Sequence, residues 1–81
     1  MSTSDKEIFD KLSGLLQKFN TKNIELTETT DISTDLNIDS VAVMDFIMEV
    51  EDAYDIDIPL NVLSDTRTMK DLVKVVQSEI G

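Results

Sequence analysis

The sequence predicts an all-α protein, an up-and-down bundle of three longer helices plus one short helix, with a long loop between the first and second helices. Three observations carry that expectation. Apolar residues recur at helical spacing in three separate segments. Each segment is preceded by a side chain of the kind that caps helix starts: Ser4, Asp39 or Thr68. No stretch alternates apolar and polar residues long enough to pair as a strand; Ile56-Asp57-Ile58 alternates but is too short. A chain of 81 residues, 41% of them apolar, has material for one modest core, so residues 1–81 are expected to form one domain.

Ser4 to Glu7 has the form of a capping box, in which the two side chains satisfy free backbone donors reciprocally. Ile8, Leu12, Leu15, Leu16 and Phe19 then follow on one helical face. Gly14 weakens that helix by about 1 kcal/mol relative to Ala without ending it. Asn20 to Asn23 stops it. The stretch from Asn23 to Ile38 is rich in Thr and Asp and lacks apolar periodicity, so it reads as an ordered loop. Ile24, Leu26, Ile32, Leu36 and Ile38 are its anchors to the core. A loop of this length is more often functional than not.

Asp39 caps a second helix running from Ser40 to about Tyr54. Pro59 sets a turn or helix start, and Leu60 to Leu63 can close one short helical turn. Thr68, with Asp71 three residues on, caps a last helix whose face is Met69, Leu72, Val73, Val76 and Ile80; Gly81 closes the chain. There is no repeat and no low-complexity segment.

Composition excludes several function classes. Net charge is −10, which repels duplex DNA and anionic lipid, so neither nucleic acid nor membrane insertion is expected. No apolar run approaches membrane-spanning length, and the first seven residues have no signal-peptide core, so a cytoplasmic monomer is the expectation. His, Cys and Trp are absent, which removes the usual neutral-pH base, the best nucleophile and the soft-metal ligands. The protein is therefore expected not to be an enzyme, and any thiol chemistry needs a cofactor to bring the sulfur.

The second helix divides into sectors at about 100° per residue. Val43, Phe46, Ile47, Val50 and Tyr54 form the core side, and Asp45, Glu49 and Asp52 the opposite one. Val41, Met44 and Met48 lie between them on one flank. Either Met44 and Met48 widen the core stripe, or the flank is an exposed docking strip of adaptable side chains bordered by carboxylates. Charge favours the strip. Of the 17 acidic residues, 12 lie between Asn23 and Thr66, and none of the 7 basic residues does. Solvated surfaces normally mix both signs. Val41, Met44, Asp45, Met48, Glu49 and Asp52 are therefore the predicted partner-docking residues.

Asp35-Leu36-Asn37-Ile38-Asp39-Ser40-Val41 resembles the D-L-G-x-D-S-L signature of acyl carrier proteins, at the same place before the second helix. Glu51 to Asp55 resembles that family's acidic-aromatic helix end, and Ile56 to Pro59 its I-P turn, so the resemblance covers essentially the whole chain. It implies that Ser40 accepts a 4'-phosphopantetheine arm from coenzyme A through a phosphopantetheinyl transferase. The arm's thiol then carries acyl or related groups as thioesters between biosynthetic enzymes with basic docking patches. Taken alone, a Ser after an Asp cap is an ordinary first-turn residue; the seven-residue context singles it out. A helix N-terminus also suits the negative phosphodiester that Ser40 would bear, with Asp39 as the adjacent cap. Asn37 replaces the usual Gly, Val41 the usual Leu and Ala42 a frequent acid, which points to a specialised rather than a housekeeping member.

A rival reading comes from the same stretch. Asp31, Ser33, Asp35, Asn37 and Asp39 place oxygen ligands at alternate positions, as in a calcium-binding EF-hand loop. Leu36 stands where that loop needs Gly, and Ala42 where it needs Glu, so no specific metal site is expected.

Overall fold

Ser4 opens the first helix with one half of the expected capping box: its Oγ accepts the Glu7 N–H at 3.2 Å, without a return bond to the Glu7 carboxylate, and α1 runs Asp5–Leu16. In the computed structural model, which describes residues 4–21 and 23–80, the chain then tightens into a 3₁₀ turn, Gln17–Phe19. Lys22 and Gly81 lie outside the described residues. After a long loop come α2 (Ser40–Tyr54), the short α3 (Leu60–Leu63) and α4 (Met69–Ile80). The fold is all-α. Among the described residues the only β-type pairing outside a strand is one antiparallel bridge, Asp31 with Thr68.

The predicted faces are the buried ones. Ile8, Leu12 and Leu16 of α1, Phe46, Ile47 and Val50 of α2, and Met69, Leu72, Val73 and Val76 of α4 meet in one core. Phe46 is fully buried, and the Phe19 ring meets it edge-on at 6.2 Å. Each fully buried Leu or Phe contributes about 1.5–3 kcal/mol relative to exposure. Val43, Tyr54 and Ile80 are half-buried at the margin. Burial, and secondarily the Glu7 carboxylate, push the Tyr54 phenol above its usual pKa.

The loop is braced rather than free. Of its expected anchors, Ile32 and Leu36 are buried, while Ile24, Leu26 and Ile38 pack partly against the core. Three backbone bonds tie it to the start of α4: Ile32 N–H to Arg67 O, Met69 N–H to Thr30 O, and Lys70 N–H to Glu28 O, at 2.9–3.0 Å. Buried Asn20 clamps the loop's near end, its side chain both donating to Ile24 O and accepting the Ile24 N–H at 3.0 Å. The loop's backbone thus finds the partners that burial demands.

Two helix features generate tests. Gly14 lies exposed within α1, and a Cβ there would meet nothing within 4 Å. Gly14→Ala should therefore stabilise the fold by about 0.5–1 kcal/mol in urea unfolding, because only the backbone entropy changes. At α4 the box closes reciprocally, with Asp71 N–H donating to Thr68 Oγ1 at 3.2 Å and Thr68 N–H to Asp71 Oδ2 at 3.3 Å. The Thr68 N–H, then that of Arg67, hold the Asp71 carboxyl below its ordinary 3.8. A lowered folded-state pKa means stabilisation that is complete above the unfolded value and lost as pH falls through the folded one. Asp71→Ala should destabilise at pH 7, and the gap from wild type should narrow when unfolding is repeated at pH 3.

Candidate functional site

The loop reaches α2 through one tight turn in which each residue has a separate task. Asp31 Oδ1 accepts the N–H groups of Ser33 and Thr34, at 3.0 and 2.8 Å, while Asp35 Oδ2 accepts the Asp31 N–H at 2.8 Å. Leu36 drops into the core with 1% exposure. Asn37 takes a left-handed backbone, φ 54°, and the Ile38 N–H closes back on Ser33 O at 3.1 Å. The position thus needs the conformation that Gly adopts most readily, and Asn is among the few other residues that tolerate it. Ile38 is half-buried, and Asp39 Oδ1 accepts the Ala42 N–H at 2.9 Å as the N-cap of α2.

Ser40 is the first residue of α2 and is exposed. Asp39 takes the Ala42 N–H with its side chain and the Val43 N–H with its carbonyl, which leaves the Ser40 and Val41 donors at the helix start to face an incoming group. Beside the Ser40 side chain a groove of about 340 Å³ runs between α2 and α3, lined by Val43, Met44, Leu60, Leu63, Ser33 and Ser64. An exposed hydroxyl at a helix start, next to a shallow apolar groove, fits the attachment of a phosphodiester-linked chain.

Across the outer flank of α2 the residues predicted to dock partners separate. Val41, Met44 and Met48 are 68%, 38% and 57% exposed, so the Met residues do not simply widen the core stripe. Asp45 and Asp52 are exposed as well. Glu49 differs. Its carboxylate pairs with Lys18, whose ammonium also sits 5.7 Å from the Phe19 ring, and its side chain is only 31% exposed. No local pattern signals that pairing, because the partners meet only when the end of α1 packs on α2. Leu60, 69% exposed, forms the far wall of the groove, a role that its place in a short helical turn did not reveal. Another missed contact is Glu51 Oε2, which accepts the Ile58 N–H at 2.7 Å and folds the 55–58 turn back on α2.

The calcium-loop alternative is not favoured. The Asp31, Asp35 and Asp39 carboxylates each accept backbone N–H groups of their own turn, and Leu36 fills the core where that loop needs Gly. Among the described residues no group of three or more metal-ligating side chains converges. Nor is any described helix long and apolar enough to cross a membrane.

The braced loop thus ends at one exposed serine, the first residue of α2. The family described as "Phosphopantetheine attachment site" matches residues 8–76, and the chain belongs to it. Its relatives point the same way. It is 32% identical to the acyl carrier protein of Lactobacillus acidophilus over 79 residues, which is 96% of this chain and 99% of the relative. It is 28% identical to that of Thermobifida fusca over 78 residues, 95% of this chain and 99% of the relative. Over 53 residues, 65% of this chain and 62% of the relative, it is 43% identical to a probable acyl carrier protein of Caulobacter vibrioides. The protein is a non-catalytic carrier of phosphopantetheine.

The turn's geometry can be tested by substitution. Asn37→Gly should be neutral or stabilising by a few tenths of a kcal/mol, whereas Asn37→Val should destabilise by about 1–2 kcal/mol, since a β-branched residue resists positive φ. Met48→Ala should cost no more than about 0.5 kcal/mol, as expected of an exposed side chain, where a core Met would cost about 2–5. Urea unfolding of the three variants separates these outcomes.

Proposed function

We propose that Ser40 carries the arm. On it the protein holds acyl or related intermediates as thioesters and delivers them between enzymes of fatty acid, polyketide or specialised lipid synthesis. One observation carries this reading. Among the described residues, the exposed large apolar side chains, Val41, Met44, Met48 and Leu60, all lie on the outer flank of α2 or across the groove from Ser40. Such clustering beside a modification point marks a surface that partners touch in turn. Met side chains repack against different partners, and the carboxylates of Asp45 and Asp52 steer basic surfaces toward the site. A phosphopantetheinyl transferase and acyl-handling enzymes with basic docking patches are the partners this surface suits. When bound, the arm supplies a thiol, which a chain without Cys cannot provide. The chain's own part is to place the attachment oxygen at a helix start and to keep an apolar groove beside it.

Incubation with coenzyme A and a broad-specificity transferase should add the mass of one arm, and peptide mapping should place it on Ser40. Ser40→Ala should abolish the addition with helicity unchanged. Modification at another residue, or none under conditions that load a control carrier, would sink the assignment. For recognition, Asp45→Lys should slow association with the transferase several-fold at low salt, the effect fading as salt rises. Glu49→Gln should change it less, because Lys18 already neutralises that carboxylate.

A further inference from the structure

A second groove opens on the other side of the bundle, between α1, residues 26–28 of the loop and α4, with a volume of about 400 Å³. It shares no lining residue with the groove at Ser40. Its floor is apolar: half-buried Phe9 and Leu26, and Val73 at 6% exposure. Its rim holds Lys6, Lys70 and Lys74. These are three of only seven basic residues in a chain of net charge −10, so a surface that elsewhere repels anions gathers cations here.

The groove's walls are tied together before any ligand arrives. Lys70 N–H donates to Glu28 O at 2.9 Å, which joins the loop to α4, and Gln77 Nε2 donates to Asp5 Oδ1 at 3.0 Å, which joins α4 to the start of α1. A site with fixed walls loses less free energy to ordering on binding. Lys6 is engaged with Asp10 at 3.2 Å in a highly exposed pair, which competes only weakly for its charge. Asp5, which keeps its charge while accepting from Gln77, and Glu28 are the two rim carboxylates that oppose an anion, against three lysines.

We infer that this groove binds a linear amphiphilic monoanion, its apolar chain on Phe9, Leu26 and Val73 and its charged head between Lys70 and Lys74. An apolar floor alone would accept any hydrophobe, and lysines alone any anion; their juxtaposition in a cleft of small-molecule size selects a ligand that has both. Lys70 and Lys74 stand one helical turn apart on α4, so both can face one head group.

The test is an amide NMR titration of the full chain with decanoate kept below its micelle concentration, and with decanol as the uncharged match. Saturable shifts should centre on residues 26–28 and 70–74, and decanol should bind about tenfold more weakly. Lys70→Gln/Lys74→Gln, which alters two exposed side chains, should weaken decanoate binding about tenfold, the loss of two modest charge contacts. Its modification at Ser40 should proceed at the wild-type rate, so this readout stands apart from the carrier assignment. Glu28→Gln should tighten binding about two- to fivefold by removing one of the two opposing carboxylates. Absence of saturable shifts, shifts centred on Ser40, Met44 and Leu60, equal affinity for decanoate and decanol, or binding only to anionic vesicles would each overturn the inference.

Discussion

The three backbone hydrogen bonds between residues 28–32 and 67–70 are the constraint on which the site depends. A long loop lying over a small core must satisfy its buried peptide groups or forfeit about 1–3 kcal/mol for each that is left unpaired. Here the start of α4 supplies those partners, although neither segment forms a strand. With that edge held, Ile32 and Leu36 insert into the core, and the Asp31–Asp35 turn is delivered at a defined point. Asn37 then reverses the chain, Asp39 caps α2, and Ser40 is left at the helix start with its side chain outside.

Charge and adaptability divide the surface into regions with different uses. A carrier meets several enzymes in turn and must release each, so a surface that is steered electrostatically and repacked easily serves better than one shaped for a single partner. The outer flank of α2 has both properties, with Met44 and Met48 beside Asp45 and Asp52. Lys18 modifies this arrangement from outside the helix. By pairing with Glu49 it neutralises one carboxylate on the side of α2 next to α1, leaving the field to Asp45 and Asp52. The basic residues beyond the acidic stretch are thus not idle: one trims the acidic face, and three collect around the opposite groove.

The departures of this chain from the usual carrier signature have different structural weight. Asn37 preserves the left-handed turn, so the path of the backbone is kept. Val41 stays highly exposed and presents a smaller apolar side chain than Leu would. Ala42 donates its N–H to Asp39, a bond that is indifferent to its side chain, so the replacement changes charge beside Ser40 and leaves the cap intact.

Local information was sufficient for the helices and for the position of Ser40. Helix faces follow from spacing, and caps from side chains acting within three or four residues, so the bounds of α2 and the roles of Asp39, Thr68 and Asp71 were legible in the sequence. At Asn37 the only hint of a left-handed turn was the Gly that stands there in the resembling signature. Contacts between segments distant in the chain were not legible. Glu49 reads as one more acid on an exposed face until the end of α1 brings Lys18 to it. Leu60 reads as part of a short turn until α3 is set across from Met44. The loop's bonds to residues 67–70 join backbone groups, which every residue except proline carries alike, so no side-chain pattern could mark them. Where the chain's interactions are local, the sequence alone determined the outcome; where peptide groups or charges had to find partners dozens of residues away, only the packing of the helices decided which ones met.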